Sequence, residues 1–142
     1  MSTMSRALLE NWYVLIVDDD TQSRDVARRI LKFYGADVYT AENGLEALDI
    51  IQHVRPAFVV SDIEMPVMDG WEFVQRLKNN RETMDIPVIA LTAYAMIGDR
   101  EKAMAAGFHN YLSKPLNPAT FMAELVSLLE DVPGLNFSME DK

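Results

Sequence analysis

Five short apolar runs, each followed by a stretch with helical spacing, constrain this chain more than any other feature. WYVLIV (12–17) is a continuous apolar run rich in β-branched residues, without the apolar–polar alternation of a half-exposed strand. Such a run suits a strand covered on both faces, as in a parallel sheet. Behind it Val26, Ala27, Ile30, Leu31 and Tyr34 recur at helical spacing, with Arg24, Asp25, Arg28, Arg29 and Lys32 between them. Gly35 suits the position just past that helix. The pattern then repeats. ADVYTA (36–41) reads as a strand, and Asn43 caps a helix carrying Leu45, Leu48 and Ile51. AFVV (57–60) reads as a strand, and Asp69 to Glu72 has capping-box spacing ahead of Phe73, Val74 and Leu77. IPVIALT (86–92) precedes a helix at 97–106 that ends at Gly107 and whose apolar face is only Ile97 and Met104. HNYLS (109–113) precedes a helix opened by Asn117-Pro118 and striped by Met122, Leu125, Val126 and Leu129. Strands and helices in strict alternation predict an α/β fold with a parallel sheet and right-handed crossovers.

Size and charge narrow the function. At 142 residues, one domain is expected. A net charge of -9 repels phosphate backbones and anionic lipid surfaces, so direct nucleic-acid binding and membrane insertion are not expected. No apolar run is long enough to span a bilayer, and MSTMSRALLEN lacks the apolar stretch of a signal peptide, so the cytoplasm is the expected location. With 0 cysteines there is no disulfide framework and no thiolate metal site. His53 and His109 form no metal or catalytic spacing with each other.

The chemistry lies at the strand ends. The first strand ends Val17-Asp18-Asp19-Asp20, the third Ser61-Asp62, the fourth Leu91-Thr92 and the fifth Leu112-Ser113-Lys114-Pro115. Open parallel sheets bind ligands beyond these carboxyl ends, at a topological switch point. In a sheet ordered 2-1-3-4-5, the first and third strands flank that point and bring Asp18, Asp19 and Asp62 into one crevice. Clustered carboxylates either raise a pKa or take up a cation. An all-oxygen set suits Mg²⁺, with Mn²⁺ as a substitute. Lys114 offers a point charge to phosphate oxygens and Thr92 a hydroxyl donor. Asp62 is then a nucleophile able to form an aspartyl phosphate. Taken singly these residues have plainer readings: Asp20 as the cap of the next helix, Asp62 as a turn residue, Thr92 as strand-end polarity, Lys114 as a solvated lysine.

In LIVDDD (15–20), VVSDIEMPVMDG (59–70), VIALTA (88–93) and YLSKPL (111–116) the sequence resembles the receiver domain of two-component response regulators, over about residues 12–131. The resemblance implies a flavodoxin-like doubly wound (βα)5 sandwich with residues 1–11 as an N-terminal extension and 132–142 as a C-terminal tail. It implies Asp62 as phosphoacceptor and Asp19 as direct metal ligand, with Asp18 acting largely through water. Glu64 would supply a backbone carbonyl to the metal. Thr92 and Tyr111 would be the switch pair, and the Lys114–Pro115 bond would be cis. The phosphoryl donor would be a sensor histidine kinase or a histidine phosphotransfer protein. The face built from the helix at 97–106, the strand at 109–113 and the last helix would then bind a downstream protein or a second copy. Glu64 and Tyr94 are expected to tune phosphoryl lifetime, Glu64 by pairing with Lys114 or crowding the phosphoryl group, Tyr94 by screening out water. The chain reads as a stand-alone, chemotaxis-regulator-like receiver, or as one excised from a hybrid kinase or a longer regulator. Such a receiver would catalyse only its own phosphorylation and dephosphorylation and would not otherwise be an enzyme. Three other readings stand beside this one. A degenerate receiver would act purely as a binding module. An Asp-nucleophile phosphohydrolase would want Thr or Val where Gln22 stands, and a flavodoxin-like cofactor binder would want a neutral or Gly-rich loop after the first strand.

Overall fold

The computed structural model describes residues 4–93 and 99–137. Its elements in chain order are β1 (Tyr13–Val17), α1 (Thr21–Phe33), β2 (Asp37–Ala41), α2 (Gly44–Ile51), β3 (Phe58–Asp62), α3 (Gly70–Lys78), β4 (Val88–Thr92), α4 (Asp99–Ala106), β5 (Asn110–Ser113) and α5 (Phe121–Leu129). All pairings are parallel and the sheet order is β2-β1-β3-β4-β5. The expected doubly wound sandwich and strand order are both present.

The strands alternate faces, and this splits the core in two. Leu15, Val17, Val59, Val88 and Ala90 pack toward α2, α3 and α4. Val14, Ile16, Phe58, Val60, Ile89 and Leu91 pack toward α1 and α5. β3 and β4 are buried at every position, which is why their sequences run apolar without alternation.

Local signals operate largely as read. Asp20 caps α1, its carboxylate accepting from the Gln22 amide at 3.1 Å and the Ser23 hydroxyl at 3.1 Å. Asn43 accepts from the Glu46 amide and Asp69 from the Glu72 amide, each at 2.9 Å. Gly35 follows α1 at φ 99°, a left-handed conformation open to a residue without a β-carbon.

Three readings shift. α5 begins at Phe121, three residues past the proline expected to open it. Asn117 instead holds a preceding turn, its side chain accepting from the Ala119 amide at 3.0 Å. In α4 the buried residue is Ala103, whereas Met104 is 44% exposed; Ile97 lies outside the described residues. The terminal segments contribute to the core. Leu8 and Leu9 are fully buried, and Phe137 stacks on Trp12 with ring centroids 4.9 Å apart. These contacts join sequence ends that no local periodicity connects.

Candidate functional site

The carboxyl ends of β1, β3 and β5 converge on one cluster. By alternation, Asp18 continues the row of Val14 and Ile16, and Asp62 the row of Phe58 and Val60. Both emerge at the same edge of the sheet. Asp18 is 1% exposed and Asp62 9%, while Asp19 is exposed. One carboxylate oxygen from each of Asp18, Asp19 and Asp62 lies within 4.8 Å of the others. Lys114, just past β5, places its ammonium 3.1 Å from Asp62 Oδ2 and 3.1 Å from Asp18 Oδ2. The bond from Lys114 to Pro115 is cis.

Backbone amides hold the acids. The Asp20 amide donates to Asp18 Oδ1 at 2.9 Å, and the Ile63 amide to Asp62 Oδ1 at 2.7 Å. Asp18 Oδ2 is buried and faces Lys114 without a well-directed hydrogen bond. Burial pushes the Asp18 carboxyl up to about 6, reinforced by the Asp62 charge and opposed by the Asp20 amide and Lys114. Burial works against the Lys114 ammonium, but its hydrogen bond to Asp62 and the charges of Asp18 and Asp62 outweigh that and raise its pKa. A buried, under-bonded carboxylate oxygen beside two further acids in an all-oxygen set fits a hard divalent cation.

Thr92 and Tyr111 lie elsewhere. Thr92 is 5% exposed and continues the row of Val88 and Ala90, toward α4. Tyr111 packs on the same face. Both border a cavity of about 200 Å³ shared with Ile63, Glu64, Trp71, Asp99, Lys102 and Ala103. Asp18, Asp62 and Lys114 thus stand on one face of the sheet edge, and Thr92 and Tyr111 border a cavity on the other. Glu64 is exposed and joins this cavity. Among the described residues Lys114 has its ion pairs with Asp18 and Asp62, so the expected Glu64–Lys114 pairing is absent there. Tyr94 lies outside the described residues.

Two participants escaped the reading of the sequence. Arg24 had the look of a solvated α1 residue, yet its guanidinium donates to the Asp18 carbonyl at 2.8 Å and braces the acidic loop. Trp71 is only a position inside the Asp69–Glu72 capping segment of the sequence, yet it forms one wall of the Tyr111 cavity. The first signal was an arginine in the opening turns of α1, facing the loop that precedes it. The second had no local signal. His109, which has no metal or catalytic spacing to His53, binds Asp131 with Nε2 and Oδ1 2.7 Å apart, tying the start of β5 to the end of α5.

Sheet order and site together define a class: a doubly wound α/β domain with a cation-ready acidic cleft at its carboxyl edge. The chain belongs to the response regulator receiver domain family, whose pattern matches residues 14–126. It is 37% identical over 118 residues to the polar-differentiation response regulator DivK of Brucella anthropi, spanning 83% of this chain and 96% of that one. Its fold matches the chemotaxis response regulator CheY4 of Vibrio cholerae with a TM-score of 0.77 at 33% identity, over 89% of this chain and 100% of the other. It also matches the receiver domain of the sensor histidine kinase PA1611 of Pseudomonas aeruginosa, with a TM-score of 0.75 at 28% identity over 84% and 98% of the two chains. That domain holds a magnesium ion in its active site cleft. Among the described residues no helix is long and apolar enough to cross a membrane.

Proposed function

We propose that this receiver accepts a phosphoryl group on Asp62 from the phosphohistidine of a sensor kinase or phosphotransfer protein. The carrying observation is the Asp62 carboxylate, buried at the end of β3 and 3.1 Å from Lys114 in an acidic cluster. An Asp62 oxygen attacks phosphorus, forming an O–P bond as the donor's N–P bond breaks, and the electron pair leaves with the imidazole nitrogen. Asp18, Asp19 and Asp62, with the Glu64 backbone carbonyl, would hold Mg²⁺ or Mn²⁺, which when bound offsets the charge of the phosphoryl oxygens. Lys114 keeps its proton and turns its ammonium from the carboxylates to those oxygens. The sheet and the Ile63 amide fix the acceptor, so little reorganisation precedes transfer.

The Thr92 hydroxyl then donates to the new phosphoryl group and Tyr111 follows it inward. The face formed by α4, β5 and α5 changes its affinity for a downstream protein or a second copy. Glu64 and Tyr94 set how long the phosphoryl group survives.

The test is intact mass after incubation with acetyl phosphate, with and without Mg²⁺, on wild type and Asp62→Asn. A single Mg²⁺-dependent phosphoryl adduct is expected on wild type and none on Asp62→Asn. Absence of an adduct on wild type, under conditions that label a control receiver, would sink the proposal and leave a phosphorylation-independent binding module.

A further inference from the structure

We infer that Trp71 couples the phosphoacceptor to Tyr111 by a route that does not pass through Thr92. The inference rests on Asp62 accepting a phosphoryl group. It starts from Ile63, whose two flanking peptide groups serve two masters. Its N–H donates to Asp62 Oδ1 at 2.7 Å, and its C=O accepts from the Gly70 amide, the first residue of α3, at 2.7 Å. The approach is so close that a β-carbon on Gly70 would collide with the Asp62 carbonyl oxygen and lie 2.9 Å from Ile63 Cα. The start of α3 is therefore seated directly on the backbone of the phosphoacceptor.

Phosphorylation changes the Asp62 end of this seat. In an acyl phosphate the carboxylate charge is gone, and its remaining carbonyl oxygen is a weaker acceptor than the anion it replaces. The charge-assisted bond from the Ile63 amide becomes an ordinary one. The Asp62–Ile63 peptide group is then free to tilt, and Gly70, seated against its carbonyl oxygen and bonded to the Ile63 carbonyl, shifts with it. Trp71 is the next residue. Its ring is held edge-on to the buried Phe108 at a centroid distance of 5.7 Å and an interplanar angle of 79°. With Ile63, Ala103 and Tyr111 it lines the cavity of about 200 Å³. A cavity of roughly 150 Å³ admits a benzene ring, so this one has room for the Tyr111 ring. The indole position therefore governs whether that ring enters. Trp71 touches no reacting atom and acts as a positioning residue.

Fluorine NMR on the full chain labelled with fluorotryptophan reads this directly. Trp12 and Trp71 are the 2 tryptophans, and Trp71→Phe assigns them. Acetyl phosphate and Mg²⁺ are added with intact mass followed in parallel. The Trp71 resonance is expected to shift with adduct formation in wild type and in Thr92→Ala alike, while Trp12 at the far end of β1 stays in place. An adduct on Thr92→Ala with an unmoved Trp71 resonance overturns the inference. Where Thr92→Ala takes no phosphoryl group, Tyr111→Ala is read by the same criterion. No adduct on wild type removes the functional reading itself, and this inference with it.

Discussion

Two neighbouring helices on one face of the sheet are held in different ways. α3 buries Gly70, Phe73, Val74 and Leu77, and its Lys78 ammonium donates to the carbonyls of Met84 and Ile86 at 2.9 and 3.0 Å. α4 buries Ala103, and an exposed hydrogen bond of 3.1 Å joins Arg100 to Asn110. The difference is one of apolar area: α3 buries three large side chains, whereas among the described residues α4 buries only the methyl group of Ala103, with Ala106 partly buried beside it. Segments with little buried apolar surface open at low free-energy cost. The helix that backs Asp62 is firmly anchored, and the one on the opposite wall of the Tyr111 cavity has less buried apolar surface to hold it.

The largest effect that would test this contrast is Phe73→Ala, expected to cost about 3–5 kcal/mol in chemical denaturation because a fully buried ring leaves a cavity. Gly70→Ala comes next, at about 1–3 kcal/mol, since the new methyl must push α3 off the Asp62 carbonyl. A Gly70→Ala protein as stable as wild type would mean that α3 is not tightly seated. The acidic cluster supplies a third test, through pH. Asp18 holds its proton up to about 6 in the folded chain, against an ordinary value of 3.8. That shift favours the metal-free fold at low pH, and its contribution is lost as pH rises from the ordinary value through the folded one. A cation needs the ionised form, so Mg²⁺ affinity should be flat above that folded pKa and fall below it by up to about tenfold per pH unit. Calorimetric titration across the window checks this, and affinity independent of pH there would contradict it. The smallest effect is on α4. Met104→Ala should change stability by no more than about 0.5 kcal/mol, because the side chain is 44% exposed. A Met104→Ala loss rivalling that of Phe73→Ala would erase the contrast.

Much of the fold was legible because its signals are local. Continuous apolar runs marked buried strands, and Asp20, Asn43 and Asp69 each cap the helix that follows them. At α5 local chemistry misled: Asn117-Pro118 forms a turn ahead of the helix, which starts only where Phe121 and Met122 find the core. The capping box at Asp69 is half made, because Glu72 turns to Arg76 at 2.8 Å and leaves the reciprocal bond unformed. Leu8 and Leu9, placed by the sequence in an extension, fill a core pocket that exists only once α1 and α5 have docked.

By itself, the sequence determined which chemical groups stand at the strand ends, because a residue's identity and its place after an apolar run are written along the chain. Tertiary structure decided which of those groups meet. Asp62 and Lys114 are 52 residues apart in sequence, and they come within 3.1 Å because β1, β3 and β4 lie side by side and carry β5 to the same edge. It also decided that Arg24 braces the Asp18 loop and that Trp71 walls the Tyr111 cavity. Neither follows from periodicity, since each depends on the closeness of two elements that only the packed sheet brings together.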